Sequence, residues 1–367
     1  MFASSICVVL IVLVAAASCL AAAPSLSLGV TGPGVVDGVE NMKVVTTLTN
    51  TGDETLKLLN DPRTILSALP VDTFTITDSD GASPSFIGVL VKYSPSLAAN
   101  STDPSALTVL EPGASVSVTH DLSSTYDFTD TGYTTYIIEA SNVFHIVDAN
   151  DDISEIRATV VDSYVTKLTG GSLTAGAVAL SPRATFKGCS RQEEATLDVV
   201  IPVATAYAQQ AFAYLLTLSP NSSSPRYTAW FGTLTPQRLN IVSDHFRHIS
   251  ASNFSVFTYD CSTCTRDDVF AFVSAADFGT VYLCGQFWRA PLNGTDSQGG
   301  TLVHECPTKA MTITISQQAS HFTVNGGTSD FAYGQVAALE LAQFDPDKAV
   351  FNADNHEYFA ENNPALP

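Results

Sequence analysis

The sequence predicts an α+β protein, with an all-β sandwich over residues 24–183 ahead of a mixed α and β domain over residues 184–367. Apolar and polar residues alternate in several segments of the first region, with turn sequences between them at the spacing typical of sandwiches. The second region changes to a helical period, and it contains every cysteine beyond residue 23. A chain of 367 residues has room for two domains of ordinary size.

The individual elements follow from these patterns. In the first region MKVVTTLTNTG alternates and turns at Asn50-Thr51-Gly52, and DTFTITDSDG does the same at Asp80-Gly81. The segments SVSVTHDL, TTYIIEA and EIRATVVDSYVTKL follow as further strands. In the second region we predict a long helix over residues 193–218, interrupted by Pro202, then a short strand in DFGTVYLCG and a helix in GQVAALELAQF.

Composition excludes several classes of function. The chain has 16 basic and 36 acidic residues, a formal net charge of −20. Proteins that bind nucleic acids or anionic membranes need a basic surface, so neither partner is expected. Hydrophobic residues make up 45% and charged residues 14%, which argues against wholesale disorder. After the N-terminus no apolar run reaches membrane-spanning length.

The first 23 residues are predicted to be a signal peptide. Residues 6–23 are apolar and end in small residues before Pro24, which is typical of a cleavable secretory signal; a membrane anchor is the alternative. We therefore expect a secreted, extracellular protein. Cleavage leaves five cysteines, of which Cys189, Cys261, Cys264 and Cys284 can form two disulfides in an oxidising compartment, with three possible pairings. Cys306 is then unpaired.

Residues capable of hydrolytic chemistry concentrate in the last 75 residues. His304-Glu305 follows the helix-like sequence GGTLV, and His321, Asp330 and Tyr333 come later. In a zinc hydrolase two imidazoles hold the metal, a neighbouring glutamate polarises water, and a third ligand arrives from a later segment. A phenol can then donate a hydrogen bond to the developing oxyanion.

Residues 185–367 resemble the aspzincins, the deuterolysin-like secreted fungal zinc endopeptidases, and most closely their peptidyl-Lys metalloendopeptidase branch. The family segment Gly-Thr-x-Asp-x-x-Tyr-Gly is present at residues 327–334. RYTAWFG, FGTVYLCGQFW, GTDSQGGTLVHE and DPDKAVFNADNHEYFAENNPA are also similar to this branch. The β-rich half resembles the family's propeptide. The resemblance implies a zincin-like metalloprotease domain behind a propeptide domain, which is processed near Arg183-Ala184.

The resemblance also implies a role for each candidate residue. One Zn²⁺ per chain would be held by His304, His321 and Asp330. Glu305 would act as general base and then as proton donor to the leaving amine, while Tyr333 would stabilise the oxyanion. The resemblance further implies the disulfides Cys189–Cys261 and Cys264–Cys284.

Asp354 and Glu357 are the candidate substrate-binding residues. They lie three positions apart and would share one face of a helix. The resemblance implies that they receive a lysine on the leaving side of the bond, so that cleavage falls on the N-terminal side of lysine. The alternative is a solvated acidic helix. The expected partners are protein or peptide substrates and the chain's own propeptide, and the chain is expected to be a monomer.

The sequence departs from the family at the centre of the zinc motif. Fifteen residues separate Glu305 from His321, where His-Glu-x-x-His allows two, so residues 306–319 contain an anomalous insertion with an excess of 13 residues. If residues 304–321 formed one helix, the two histidines would lie about 25 Å apart. They could not then share a zinc ion, whose bonds to nitrogen are about 2.0–2.1 Å long.

Two interpretations of the insertion remain open. In the first it is a translated intron or another gene-model error, because removing 13 residues that end before Ser320 restores His-Glu-x-Ser-His-Phe. In the second it is real. His321 then either reaches the zinc across a looped-out segment, at a modest closure entropy, or the metal site is lost. Loss of the site would make the chain a catalytically inactive secreted relative, a non-enzymatic peptide-binding protein.

Overall fold

The structure is a computed structural model, and it describes residues 24–67, 69–161, 163–171, 173, 185–219, 223–274, 279–305 and 328–367. Four sequence predictions lie outside these residues: the signal peptide at 1–23, the processing point at Arg183-Ala184, the insertion at 306–319, and the ligand His321. Within the described ranges, no helix combines the length and the apolar character needed to cross a membrane.

The N-terminal half consists mainly of short strands. Its fifteen strands in the described residues are β1 Leu26–Thr31, β2 Val35–Asp37, β3 Lys43–Asn50, β4 Leu56–Leu59, β5 Phe74–Asp78, β6 Ser85–Phe86, β7 Val89–Tyr93, β8 Leu107–Leu110, β9 Ser115–Asp121, β10 Tyr126–Asp127, β11 Thr135–Ala140, β12 Val143–Val147, β13 Ile153–Arg157, β14 Thr159–Val160 and β15 Tyr164–Thr169. A short helix, α1 (Pro95–Ala99), follows β7, and 3₁₀ turns form at Val39–Asn41 and Leu122–Ser124.

Three four-stranded sheets organise this half. Their strand orders are β14-β1-β3-β9, β2-β15-β11-β5 and β13-β12-β4-β8, and β10 pairs with β6. Alternate residues of β1, β3, β11 and β15 point into one core, in which Leu28, Leu48, Ile138 and Leu168 are fully buried. The expectation of an all-β sandwich is therefore met only in part, because α1 belongs to this half and β7 leaves its sheets.

The C-terminal half combines one sheet with helices. Its strands in the described residues are β16 Thr185–Lys187, β17 Thr258–Asp260, β18 Val269–Ser274 and β19 Thr280–Leu283. Its helices are α2 Arg191–Leu215, α3 Pro225–Phe231, α4 Pro236–Ala251, α5 Gly285–Arg289, α6 Gln298–His304, α7 Gln335–Phe344, α8 Pro346–Ala349 and α9 Ala353–Glu361, with a 3₁₀ turn at Phe254–Val256.

The sheet of the C-terminal half has the order β16-β17-β19-β18-β7, so its last strand comes from the N-terminal half. β7 runs antiparallel to β18 and places Val91 opposite Phe272 and Lys92 opposite Ala271. The two halves are therefore joined by backbone hydrogen bonds, which the sequence patterns did not indicate.

Helix α2 is more continuous than the sequence suggested. It begins with a capping box between Ser190 and Glu193 and continues through Pro202, where we expected an interruption. Proline within a helix costs about 3 kcal/mol. The apolar face next to it, with Val200 and Ala204 fully buried, packs into the core and offsets that cost.

Helix α9 lies at the centre of the C-terminal half, and all nine of its residues are buried. It packs against α2, α3, α6 and α7. The structure also contains both implied disulfides, Cys189–Cys261 and Cys264–Cys284, which confirms the pairing.

Candidate metal centre and lysine pocket

Helix α6 positions His304 and Glu305. Ser297 caps its N-terminus, accepting a hydrogen bond from the Gly300 amide. Two glycines let the helix approach its neighbours. A Cβ on Gly299 would lie 2.6 Å from Val203 Cγ1 of α2, and one on Gly300 would overlap the Glu361 carboxylate of α9. The sequence GG before TLVHE is therefore needed for close helix packing.

Asn352 makes several of the hydrogen bonds that hold the loop carrying Asp330. Asn352 accepts hydrogen bonds from the amides of Phe331 and Ala332, at 2.8 and 3.0 Å, and donates one to the Ala332 carbonyl. A backbone bridge also joins Ser329 to Asn352. The sequence analysis did not identify Asn352. Its contacts direct Asp330 towards α6.

His304 and Asp330 have the geometry of two ligands of one zinc ion. His304 Nε2 lies 3.3 Å from Asp330 Oδ1, and both side chains are almost completely buried. The contact lacks hydrogen-bond geometry, and both atoms are without a hydrogen-bond partner among the described residues. Two ligands about 2.05 Å from a tetrahedral zinc are about 3.3 Å apart. The residues present therefore fit the metal.

Glu305 lies beside this pair with its carboxylate aimed at the backbone of β7. Its Oε1 accepts a hydrogen bond of 3.0 Å from the Lys92 amide, and its Oε2 has no hydrogen-bond partner among the described residues. Burial, opposed by the nearby His304, raises the pKa of Glu305 to about 8. A carboxyl group with such a pKa can accept and return a proton near neutral pH.

A second cluster lies on the other side of His304 and is strongly acidic. Asp354 and Glu357 on α9 are both fully buried, and Asp296, in the loop before α6, is partly exposed. The Lys92 ammonium enters between them. Its Nζ lies 2.9 Å from Asp296 Oδ1, 2.9 Å from Glu357 Oε2 and 3.3 Å from Asp354 Oδ1. We call Asp296, Asp354 and Glu357 the acidic pocket.

Aromatic groups complete the acidic pocket. The hydroxyl of Tyr358 donates to Asp296 Oδ1 at 2.6 Å, and its ring centroid lies 4.9 Å from Lys92 Nζ. The ring of Phe270 lies 5.5 Å from the same ammonium. Charge pairing and the ring faces together compensate for removing the ammonium from water.

The pKa values show how strongly these charges interact. Burial by itself would lower the pKa of Lys92, but Asp354 and Glu357 raise it well above its ordinary value. Burial would raise the pKa of Asp354, yet Lys92 and His304 bring it down to about 2. Burial raises the pKa of Glu357 despite the opposing ammonium. The acidic pocket therefore holds an ammonium as a charged group.

His304 contacts both clusters. Its Nδ1 lies 3.0 Å from Asp354 Oδ1 and 3.3 Å from Glu357 Oε2. These three side chains could geometrically form a cation site. The Lys92 ammonium already fills that space, so we assign the cluster to the ammonium and the Nε2 side of His304 to the metal. Carboxylates behind a metal-binding histidine orient its ring.

Tyr333 follows Asp330 on the same loop and is buried against the N-terminal half. Its ring lies edge-on to Tyr93, with the centroids 5.6 Å apart, and the Arg63 guanidinium lies 4.4 Å above it. Arg63 also donates to the Phe331 carbonyl at 3.1 Å. The structure thus brings Tyr333 to the same loop region as Asp330.

Several residues of the site were missed by sequence reasoning, namely Lys92, Asp296 and Tyr358. Asp296 lies in the family-like segment GTDSQGG, and its positive φ of 50° could not be seen in the sequence. The sequence DHFRH has two histidines, His245 and His248, at ligand-like spacing, but without an acidic third partner it indicated a surface helix, which is wrong for His245. It is buried, and its Nδ1 lies 3.0 Å from His356 Nε2.

Comparisons with known proteins show the family to which the chain belongs. A family model described as lysine-specific metallo-endopeptidase matches residues 216–361. The chain is 50% identical over 360 residues to a peptidyl-Lys metalloendopeptidase of Grifola frondosa, a match that covers 97% of this chain and 98% of the relative. It is 44% identical over 349 residues to a peptidyl-Lys metalloendopeptidase of Armillaria mellea, covering 94% of each.

One solved structure, a zinc peptidase from Grifola frondosa, is 49% identical and covers 49% of this chain and 100% of that chain, with a TM-score of 0.43. The relatives are peptidases, which does not favour the alternative of a non-enzymatic binding protein. The chain belongs to the aspzincin family and is a zinc metalloendopeptidase that acts on peptide substrates.

Proposed function

We propose that this chain is the precursor of a secreted endopeptidase that hydrolyses peptide bonds on the N-terminal side of lysine. The observation that carries the proposal is the acidic pocket, which binds a lysine ammonium next to His304 and Glu305. A neutral side chain in this pocket would leave buried carboxylates without a counter-charge, so the pocket selects for a cation.

The metal is assigned to three residues. His304, Asp330 and His321 would hold one zinc ion, and His321 is assigned from the motif alone because it lies outside the described residues. Two buried ligand atoms without hydrogen-bond partners support the first two assignments. When bound, zinc supplies the Lewis acidity that makes water nucleophilic at neutral pH.

The protein's own residues would carry the proton transfers. Glu305 accepts a proton from the attacking water and returns it to the departing amine, consistent with its hydrogen bond to the Lys92 amide. Tyr333 is assigned to stabilise the oxyanion. The acidic pocket orients the substrate by fixing the lysine that follows the scissile bond.

Secretion agrees with the two disulfides, since such bonds persist in oxidising compartments. We propose that the N-terminal half is a propeptide that covers the cleft and is removed near Arg183-Ala184, and that the chain acts as a monomer. Arg63 and Lys92, both in the N-terminal half, contact the candidate site, which supports the proposal that this half covers the cleft.

Two peptides that differ only at one side chain test the lysine preference. One contains lysine, and the other contains norleucine, whose side chain has the same four carbons but lacks the ammonium. We expect the zinc-loaded enzyme to cleave before lysine and to lose at least about 10²-fold in kcat/KM with norleucine, since a buried charge is then left unpaired. Equal rates for the two peptides would overturn the specificity.

Variants connect that preference to the acidic pocket. Glu357→Gln should lower kcat/KM for the lysine peptide by about 10²-fold. The ratio of kcat/KM for the lysine peptide to that for the norleucine peptide should therefore become smaller. Asp198→Asn removes a carboxylate on the exposed side of α2 and should leave both rates unchanged. A Glu357→Gln enzyme with an unaltered preference would show that the specificity lies elsewhere.

A further inference from the structure

Strand β7 occupies the position that an extended peptide would take in the cleft. It adds to β18, which otherwise would be the edge of the sheet of the C-terminal half. Adding a strand to an exposed sheet edge is a common mode of peptide recognition, in which backbone hydrogen bonds supply affinity and side-chain pockets supply specificity. β7 satisfies both conditions, since Lys92 fills the acidic pocket.

The burial of Lys92 is unlike that of the other lysines in the described residues. Lys92 is fully buried, whereas the side chains of Lys43, Lys187 and Lys348 are 56 to 60% exposed. Burying an ammonium is costly unless it is paired, and here the partners are carboxylates of the other half. The acidic pocket is therefore a specific binding site for a lysine side chain.

Two successive backbone amides, those of Val91 and Lys92, face the catalytic groups. The Val91 amide donates to Asp330 Oδ2 at 2.9 Å, and the Lys92 amide donates to Glu305 Oε1 at 3.0 Å. The Val91–Lys92 peptide bond thus lies between the proposed ligand Asp330 and the proposed base Glu305. Glu305 contacts the nitrogen that must receive a proton when this bond breaks.

We propose that the Val91–Lys92 bond is a self-processing site, bound as an intramolecular substrate and hydrolysed by the same chain. This inference rests on the proposed function. The oxygen of one water molecule forms a bond to the Val91 carbonyl carbon, and the bond from that carbon to the Lys92 nitrogen breaks. Glu305 takes a proton from the water and delivers it to the Lys92 nitrogen. The products are a carboxylate at Val91 and a new α-amine at Lys92.

Filling the pocket also controls when the enzyme can act on other molecules. While Lys92 lies in the acidic pocket, no external lysine can enter it, because the three carboxylates are already paired. Hydrolysis divides β7 and removes the covalent link that holds its two parts in register. A strand of five residues cut after its third residue keeps little of its pairing with β18.

The test uses the full chain, loaded with zinc and incubated in water enriched in ¹⁸O, with new termini identified by mass spectrometry. We expect a fragment beginning Lys-Tyr-Ser-Pro, one ¹⁸O atom in the Val91 carboxylate, and a first-order rate constant that is unchanged over a tenfold range of protein concentration. An apparent first-order rate constant that rises in proportion to protein concentration would overturn processing within the chain.

Three variants separate catalysis from a purely structural role for Lys92. Lys92→Met should leave the 91–92 bond intact, whereas Lys57→Met, on the exposed side of β4, should be cut at the unaltered rate. Glu305→Gln leaves the pocket and the strand unaltered and should also leave the bond intact. Glu305→Gln therefore keeps the test valid if Lys92→Met fails to fold.

A separate lysine peptide, added to each chain, distinguishes this inference from the proposed function. If the unaltered chain keeps its 91–92 bond, self-processing is wrong. If Lys92→Met, whose acidic pocket holds no ammonium, hydrolyses the added peptide, the specificity stands. If neither bond is hydrolysed by any zinc-loaded chain, the proposed function fails and the inference fails with it.

Discussion

The Lys92 ammonium lies 2.9 Å from the Glu357 carboxylate, and neither side chain is accessible to solvent. One residue comes from a strand of the N-terminal half and the other from the central helix of the C-terminal half. Because a buried charge is stable only when paired, this ion pair couples the folding of the two halves. It also places a lysine where the proposed substrate lysine would bind.

Lys92→Met should destabilise the full chain. The change leaves Asp354 and Glu357 buried without their ammonium, and breaking a buried pair in this way costs about 3–5 kcal/mol. Urea unfolding followed by tryptophan fluorescence measures the loss. Lys57→Met, at an exposed position, should stay within about 0.5 kcal/mol. Equal midpoints for the two variants would show that the pair contributes nothing to stability.

Gly300→Ala should damage the site through helix packing. The added Cβ would overlap the Glu361 carboxylate and lie 3.0 Å from Glu357 Oε1, so α6 and α9 would have to separate. Overpacking of this kind costs about 1–3 kcal/mol, and it moves His304 relative to the acidic pocket. Zinc content and the melting temperature report both effects. Gly34→Ala, where a Cβ meets nothing within 4 Å, is the control. A fully active Gly300→Ala enzyme would contradict this packing argument.

Deleting residues 307–319 should strengthen zinc binding. The deletion makes His304, Glu305 and His321 one contiguous motif and removes the entropy of closing a longer loop, which costs on the order of 2 kcal/mol. The zinc dissociation constant should fall by about twentyfold, as measured by competition with a chelator. His321→Ala in the shortened chain should abolish the gain. Equal affinities with and without the segment would show that a looped-out insertion is tolerated at no cost.

Two buried histidines should make the protein sensitive to acid. Burial lowers the pKa of His245 to about 4 and that of His356 to about 3, from an ordinary value of 6.5. Below pH 6.5 these two histidines therefore bind protons in the unfolded chain but stay neutral in the folded chain. The free energy of unfolding should be highest above pH 6.5 and should fall, by about 1.4 kcal/mol per pH unit for each histidine, as the pH drops towards 4.

The slope of stability against pH checks this prediction. Urea unfolding at pH 7, 6, 5 and 4 should show a shallower slope for His245→Gln than for the unaltered chain. His248→Gln changes a histidine on the same helix whose side chain is 32% exposed, and it should preserve the slope. Identical slopes for all three proteins would mean that other groups govern the acid response.

Local patterns predicted much of the architecture because they depend on neighbours in the chain. Alternation marked strands such as Lys43–Asn50, and the apolar period of GQVAALELAQF marked α7, Gln335–Phe344. The interruption at Pro202 was wrong because burial of the adjacent helix face outweighs the local cost of proline. The position of His245 was wrong because one helix cannot show which other element covers it.

The amino-acid order by itself determined the residue types of the site, the spacing of Asp354 and Glu357 on one helix, and the 13-residue excess inside the zinc motif. Only the tertiary structure decided that an isolated lysine, 204 residues before Asp296 and 265 before Glu357, would fill the acidic pocket. The physical reason is that a buried ion pair depends on distance and desolvation in three dimensions, and neither quantity is written in local sequence.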